Sequence, residues 1–184
     1  MPMSTIDVKV AELGGLHPCV DTSGQDKVWP LTEQEIADLE GEFGVTLPTD
    51  YRQFLAQYGA CRFKAIVRSR GASYYRVARF YGGGVDEDDA GHIRGALLDF
   101  EDRMPSSILP IAECDDGAIC IGTRNEVYGK VFYWDRENEW DWQQQERISA
   151  GETLSRDEQF QNVSQLADSF EAFICDLEVI HSAD

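Results

Sequence analysis

The sequence predicts an α+β fold in which a mostly antiparallel β-sheet packs against N-terminal helices and a C-terminal helix. Apolar residues recur at helical spacing between residues 32 and 59, and again between residues 165 and 180. Short β-prone runs, separated by turns rich in Gly, Pro and Asp, occupy the middle of the chain. This order of helices, strands and a closing helix favours an antiparallel sheet over a βαβ alternation.

Two short helices are predicted at the start of this pattern. Thr32 and Glu35 have the spacing of a capping box that begins the first helix, and Gly44 ends it. Thr49 or Asp50 caps the second helix. Each helix has one apolar face. The faces consist of Ile36, Leu39 and Phe43 in the first helix and of Tyr51, Phe54, Leu55 and Tyr58 in the second.

The middle of the chain contains the predicted strands, which cover residues 62–68, 74–81, 108–112, 118–122 and 130–134. The segment Asp115-Asp116-Gly117 has the Asp-Gly signature of a hairpin turn between two of them. A helix is predicted within residues 90–103, because Ile93, Leu97 and Phe100 recur at helical spacing. Surface loops are predicted over residues 135–141 and 149–160.

The two ends of the chain differ in their apolar pattern. A final helix is predicted over residues 165–180, and its inward stripe consists of Leu166, Phe170, Phe173, Ile174 and Leu177. Near the N-terminus, Val8, Val10 and Leu13 suggest a strand or a short helix, which Gly14-Gly15 and His17-Pro18 interrupt. We therefore predict a peripheral lead-in over residues 1–30 and a single domain over residues 31–184.

Acidity is the main feature of the composition. The chain has 184 residues, 34 acidic against 16 basic side chains, and a formal net charge of −18. Such a charge repels nucleic acid and anionic membranes, and it attracts a basic protein partner. A second interpretation is that the charge serves solubility alone. Because the sequence has neither an apolar run of membrane-spanning length nor a signal-peptide pattern, we expect a cytoplasmic protein with no membrane partner.

One segment departs from this acidity, since residues 59–85 contain no Asp or Glu. The segment carries a set of basic side chains, with Tyr74, Tyr75 and Tyr81 among them. The basic residues are Arg62, Lys64, Arg68, Arg70, Arg76 and Arg79. One interpretation is binding of single-stranded nucleic acid. The other is that acidic segments of the same fold neutralise these charges, and the net charge of the chain favours it.

The sequence predicts no catalytic, metal or cofactor site, and we therefore predict that the protein is not an enzyme. The five cysteines form no CxxC pair, so we interpret them as reduced thiols that fill the core. His17, His92 and His181 lack a second ligand at metal-type spacing. The acidic run at residues 86–89 lacks the spaced pattern of a calcium loop.

The acids are concentrated in three segments, residues 86–102, 115–116 and 135–158. Tryptophans flanked by carboxylates are typical of an aromatic anchor with an acidic rim at a protein interface. The predicted partner-binding residues are Asp86, Glu87, Asp88, Asp89, Asp115, Asp116, Asp135, Glu137, Glu139, Trp140, Asp141 and Trp142. Two alternatives stay open: one Trp packs under the loop, or the carboxylates of residues 137–141 serve a sugar-binding or hydrolytic site.

Four segments, in the right order, give the chain a family resemblance. They are LPTDYRQFL with the following Tyr58-Gly59, ILPIA with the hairpin turn after it, GKVFYWD at residues 129–135, and ADSFEAFI at residues 167–174. Together with the helix before Gly44, these segments resemble the SMI1/KNR4 family of the SUKH superfamily, over about residues 31–180.

The resemblance implies a binding function. Many bacterial members of the family are immunity proteins that bind and block a toxin domain, often a nuclease, whereas fungal members are scaffolds in cell-wall signalling. The matching segments are structural, so the resemblance carries over no catalytic residue. It implies an immunity protein with a basic toxin domain, expected to be a nuclease, as its partner. The alternative is a regulatory scaffold of the same family with no toxin partner.

Overall fold

The computed structural model describes residues 4–18, 29–70, 76–83 and 91–180. It confirms the predicted α+β class with a large antiparallel sheet. The helices are α1 Thr5–Glu12, α2 Glu33–Phe43, α3 Thr49–Tyr58, α4 Ile93–Asp99, α5 Trp142–Ser149, α6 Arg156–Gln159 and α7 Phe170–Asp176. The strands are β1 Leu16–Pro18, β2 Cys61–Phe63, β3 Val67–Ser69, β4 Arg76–Phe80, β5 Ile108–Cys114, β6 Gly117–Gly122, β7 Val131–Asp135, β8 Val163–Ala167 and β9 Leu177–Val179.

The sheet follows the order β1-β2-β4-β5-β6-β7-β8, and every pair of neighbouring strands is antiparallel. Strand β3 pairs with both β4 and β9 beside this main path. The predicted hairpin is confirmed, because Cys114 pairs with Gly117 and the turn between them consists of Asp115 and Asp116. Asp116 has a φ of 56°, a left-handed conformation that Asp tolerates better than most residues.

Alternation along the central strands divides the core between the two faces of the sheet. On one face, Ile119, Ile121, Val131 and Tyr133 pack in a core that includes residues of α1, α2, α3 and α7. On the other face, Ala118, Cys120, Phe132 and Trp134 pack against Phe100, Met104, Ile108 and Val127. The central strands are therefore covered on both sides, which explains why β6 is buried along its whole length.

Phe170 is the centre of the helix-covered core. Its ring centroid lies 5.1 Å from those of both Tyr51 and Phe54, and 6.1 Å from that of Phe80. These contacts join α7, α3 and β4, which are distant in the sequence. Edge-to-face packing of this kind adds to the stabilisation that comes from burying the rings.

Local signals place the two predicted N-terminal helices correctly. The Thr32 hydroxyl accepts a hydrogen bond from the Glu35 amide at 3.2 Å, and the Glu35 carboxylate accepts one from the Thr32 amide at 2.7 Å. Gly44 ends α2 with a φ of 59°. After the corner, the Glu40 carboxylate accepts a hydrogen bond from the Leu47 amide at 2.7 Å and also binds the Arg52 guanidinium. These bonds hold α2 and α3 together.

The predicted C-terminal helix is present as α7, but it is shorter than residues 165–180, because β8 and β9 occupy the two ends of this segment. Strand β8 pairs with β7, with Val163 opposite Trp134 and Ala167 opposite Val131. Ser169 then caps α7, and its hydroxyl accepts a hydrogen bond from the Ala172 amide at 3.0 Å. The backbone N–H and C=O groups of β8 form hydrogen bonds with β7 instead of within a helix. Residues 165–167 therefore belong to a strand although the apolar spacing of the segment favours a helix.

Two further predicted segments are shorter or more ordered than expected. The strand predicted over residues 62–68 is split into β2 and β3 by residues 64–66. The loop over residues 149–160 contains the end of α5 and all of α6, and Leu154 in its middle is only 3% exposed. A capping box between Ser155 and Glu158 begins α6.

The segment before residue 31 also contributes to the fold. Helix α1 contacts α7, and Ile6, Val10 and Leu13 are buried in the helix-covered core. Strand β1 pairs with β2 at one edge of the sheet. The division of the chain into a lead-in and a domain at residue 31 stays a prediction. Within the described ranges, no helix combines the length and the apolar character needed to cross a membrane.

Candidate partner-binding face

The structure brings two of the three predicted acidic segments together. Gly117 pairs with Asp135 across β6 and β7, so the turn at Asp115 and Asp116 lies beside the loop that follows β7. The Arg136 amide donates a hydrogen bond to the Asp116 carbonyl oxygen at 3.0 Å and links the two segments. The third group of predicted residues, Asp86, Glu87, Asp88 and Asp89, lies outside the described residues.

Arginines neutralise part of this acidic face. Arg76 of β4 pairs with Asp115 at 2.7 Å, and Arg79 pairs with Glu113 at 2.6 Å. At the edge of the sheet, Arg68 pairs with a carboxylate oxygen of Glu178 at 2.8 Å. These three arginines belong to the basic segment of residues 59–85. Their pairing agrees with the interpretation that acidic groups of the same fold neutralise this segment.

A polar groove of about 430 Å³ lies where β7 ends and β8 begins. It is lined by Tyr133, Asp135, Glu137, Asn138, Glu139, Gln161, Asn162 and Ser164. Asp135 organises the loop that forms one wall. Its carboxylate accepts hydrogen bonds from the Glu137 amide at 3.0 Å and from Asn138 Nδ2 at 2.7 Å. Glu139 is held differently, since its carboxylate accepts two hydrogen bonds from Arg103, at 2.8 and 3.1 Å.

The two predicted tryptophans have different environments. Trp140 is only 6% exposed, and its indole N–H donates to the carbonyl oxygens of Glu158 and Gln159 at 3.1 and 3.3 Å. Trp140 therefore packs under the loop. This is the alternative given above, in which one of the two tryptophans is not part of an interface. Trp142 is 70% exposed and lies in the first turn of α5. Of the two indoles, only that of Trp142 is available to a partner in this structure.

Helix α5 is attached to the groove by polar contacts. Asp141 begins the helix as the first residue of a capping box, and its carboxylate accepts a hydrogen bond from the Gln144 amide at 2.9 Å. Gln144 Nε2 donates to Gln161 Oε1 at 3.0 Å, and Gln161 Nε2 donates to the Asn138 carbonyl oxygen at 3.3 Å. Helix α5, which carries the exposed Trp142, is thus joined to the wall of the polar groove through Gln144.

The comparison with known families agrees with this fold. The family model for the SMI1 / KNR4 family (SUKH-1) matches residues 30–176. The chain belongs to the SMI1/KNR4 family. This family of the SUKH superfamily is often immunity-related and generally non-catalytic. A relative is the SPbeta prophage-derived uncharacterized protein YokK of Bacillus subtilis strain 168, 26% identical over 160 residues, which cover 74% of this chain and 75% of the relative.

Most of the described thiols of this SMI1/KNR4 protein lie in the core. Cys61, Cys114 and Cys120 are buried, whereas Cys175 is partly exposed. Burial raises the pKa of the Cys114 thiol and of the Cys120 thiol far above the ordinary range, so neither is a reactive thiolate near neutral pH. The prediction for Cys19 lies outside the described residues.

The histidine and carboxylate side chains that could serve a metal or catalytic site also make contacts within the fold. His92 caps α4, with its Nδ1 accepting a hydrogen bond from the Arg94 amide at 3.2 Å. Within the described ranges, no group of three or more His, Cys, Asp or Glu side chains could hold a metal ion. Hydrogen bonds within the fold already engage two of the three carboxylates of the groove, that of Glu139 through Arg103 and that of Asp135 through its own loop.

Sequence reasoning missed the β8 side of the groove. Gln161, Asn162 and Ser164 line it, but they lie between the predicted loop of residues 149–160 and the predicted helix of residues 165–180. Only the pairing of β8 with β7 places these residues opposite Tyr133 and Asp135. The sequence contains no local signal for that pairing, because the partner strand ends 28 residues before β8 begins.

Proposed function

We propose that this protein is an immunity protein that binds and neutralises a cognate bacterial toxin domain, whose expected chemistry is that of a nuclease. The observation that carries the proposal is membership of the SMI1/KNR4 family across residues 30–176, since this family is often immunity-related. The net charge of −18 supports a basic partner, because opposite charges accelerate the encounter of two proteins.

The proposed contact surface combines an aromatic anchor with acidic residues. Trp142 is the anchor, and its exposed indole can be buried in a partner. Among the described residues, no ion pair forms at Asp116, Asp135 or Glu137, so their charges are available to a basic surface. The protein would act by covering the toxin's substrate groove, without chemistry of its own.

A co-expression experiment tests this proposal. The toxin domain encoded beside this gene is expressed with and without the protein, and growth and complex formation are measured. The proposal predicts restored growth and a complex that survives gel filtration. A toxin that kills equally in both cultures, and does not co-purify with the protein, contradicts it and favours the regulatory scaffold.

The prophage origin of the relative YokK suggests where a partner should be sought. Coding sequences directly beside this gene are the first candidates, and a basic domain among them fits the charge of the face. A catalytically inactive variant of the toxin allows the affinity to be measured without killing the host. An unrelated basic nuclease serves as the control for nonspecific charge attraction, which high salt abolishes.

A further inference from the structure

A second groove of about 400 Å³, called the apolar groove below, lies where four parts of the chain meet. These parts are the end of α2, the segment between α4 and β5, the start of β5, and the segment from α5 to α6. The main apolar side chains that line the groove are Phe43, Phe100, Met104, Leu109, Ile148 and Leu154. Clefts that bind ligands usually have volumes of about 300–1,000 Å³, so the apolar groove is large enough to take a side chain of another molecule.

Helix α5 forms part of the groove and is incompletely packed. None of its residues is buried, although a surface helix normally buries its apolar face against the core. Ile148, in the last turn of α5, lines the groove and is only partly buried. The segment after α5 is packed more closely, since Leu154 is only 3% exposed and its carbonyl oxygen accepts a hydrogen bond from Gln159 Nε2 at 2.7 Å. Apolar surface of α5 is therefore left uncovered beside the groove.

The charged residues of the apolar groove are mainly acidic. Among the described residues, the charged side chains of its lining are Glu101, Asp102, Glu152 and Arg124. Arg147 forms an ion pair with Glu152 at 3.0 Å. By contrast, Glu101 and Asp102 are exposed, and their carboxylates form no ion pair with any residue that the structure describes. Their charges are therefore available to a partner at the edge of an apolar surface.

Charge distinguishes between the possible occupants of the apolar groove. A second copy of the chain has the same net charge of −18, and nucleic acid is also negative, so Glu101 and Asp102 repel both. A basic protein segment is attracted by the same two carboxylates. An apolar side chain on that segment can be buried against Phe100, Met104 and Ile148. The lining as a whole thus fits an apolar residue that has basic neighbours.

We propose that the apolar groove receives a large apolar side chain of the protein partner, and that Lys or Arg residues beside that side chain pair with Glu101 and Asp102. The proposal rests on the function proposed above and adds the chemistry of one contact. It also gives α5 a role at both ends. The exposed Trp142 lies in the first turn and Ile148 lies in the last turn, about 9 Å further along the helix axis.

A peptide titration tests the groove without the toxin. The probe is acetyl-Lys-Phe-Lys-amide. One control, acetyl-Lys-Ala-Lys-amide, lacks the apolar side chain, and the other, acetyl-Glu-Phe-Glu-amide, has the opposite charge. The chain has three methionines, so NMR of the intact protein with labelled methionine methyl groups resolves Met104, which the Met104→Leu variant assigns.

We expect the Lys-Phe-Lys peptide to shift the Met104 methyl signal in a saturable way. The Lys-Ala-Lys peptide should bind about tenfold or more weakly, because it buries no aromatic ring. The Glu-Phe-Glu peptide should also bind more weakly, because Glu101 and Asp102 repel it. An unmoved Met104 signal, or a response to either control equal to that of the probe, overturns the proposal.

Matched variants provide the second arm of the test. Asp102→Asn removes one charge from the groove and keeps a residue that tolerates the φ of 56° at this position. Its control is Asp38→Asn, an exposed acid of α2 outside the lining. Ile148→Ala removes apolar surface from the groove, and its control is Ile66→Ala, which is exposed elsewhere.

We expect Asp102→Asn to weaken binding of the Lys-Phe-Lys peptide about threefold and Ile148→Ala to weaken it about fivefold, with both controls unchanged. Equal losses in Asp102→Asn and Asp38→Asn mean that the peptide senses net charge alone, which contradicts the proposal. Full binding by Ile148→Ala contradicts it as well. Circular dichroism of each variant confirms that a loss of binding does not come from unfolding.

The immunity function and the apolar groove can fail separately. If the toxin co-purifies but Asp102→Asn and Ile148→Ala bind it as well as the wild type does, the groove is wrong and the immunity function stands. If no toxin binds but the Lys-Phe-Lys peptide still shifts Met104 more strongly than both control peptides, the groove stands and the immunity function is wrong.

Discussion

Arg76 donates two hydrogen bonds to the carboxylate of Asp115, from Nε at 2.7 Å and from an Nη nitrogen at 3.1 Å. The pair joins the basic strand β4 to the acidic turn between β5 and β6. Because Asp115 is neutralised in this way, the acidity of the face depends mainly on Asp116, Asp135 and Glu137. Arginines of the same fold therefore decide which of the acids can attract a partner.

Removal of the Arg76 charge should strengthen the attraction between the acidic face and a basic partner. We expect Arg76→Gln to increase the association rate with a basic toxin domain about twofold to fivefold at low salt, since it exposes the charge of Asp115. Asp116→Asn should lower the rate by a similar factor. Stopped-flow measurements at several salt concentrations check both effects. Identical rates for the two variants and the wild type would show that this face does not guide the encounter.

Trp142 should matter for binding and hardly at all for folding. Its side chain is 70% exposed, so we expect Trp142→Ala to change the free energy of unfolding by less than about 0.5 kcal/mol. Its loss as an anchor should weaken toxin binding by about 2 kcal/mol. Urea unfolding and isothermal titration calorimetry measure the two quantities. An unchanged affinity would remove Trp142 from the interface.

Trp140 should show the reverse behaviour. Because its indole is buried and donates to the carbonyl oxygens of Glu158 and Gln159, Trp140→Ala leaves a cavity and removes a donor from both carbonyls. We expect the free energy of unfolding to fall by about 3–5 kcal/mol. Urea unfolding measures this loss. A variant as stable as the wild type would contradict the packing described for the loop.

The aromatic core predicts a large effect at Phe170. This ring is fully buried and contacts Tyr51, Phe54 and Phe80, so truncation removes packing that joins α7, α3 and β4. We expect Phe170→Ala to lower the free energy of unfolding by about 3–5 kcal/mol, as measured by urea titration. Val8→Ala on the exposed side of α1 is the control, with an expected change below about 0.5 kcal/mol.

Glu158 should make the structure around α6 sensitive to acid. Hydrogen bonds from the Arg147 guanidinium, and then from Ser155, lower the pKa of Glu158 from 4.5 to about 2. A lowered pKa means that the carboxylate stabilises the fold fully above pH 4.5, and that this contribution is lost as the pH falls towards 2.

The indole N–H signal of Trp140 reports this titration, because it donates to the Glu158 carbonyl oxygen. We expect its NMR shift to move between pH 4.5 and about 2 in the wild type. In Glu158→Gln, which has no carboxylate at this position, the movement should disappear. A shift that moves equally in both proteins would show that another group causes it.

Local signals were enough to predict part of this protein. The capping box of Thr32 and Glu35, the stop at Gly44 and the Asp-Gly hairpin each depend on residues a few positions apart. Their hydrogen bonds form within one helix turn or one hairpin, so the residues that form them are neighbours in the sequence. The acidic composition and the family pattern are likewise properties of the sequence alone.

Tertiary structure decided the rest, because it depends on partners that are distant along the chain. Trp140 and Trp142 are two positions apart in the same acidic segment, yet one is buried and the other exposed. Helical spacing predicted a helix where β8 runs, since the edge of β7 is not visible in a local pattern. The sequence by itself determined the class, the charge and the family, while strand pairing determined which acidic and amide side chains line one groove.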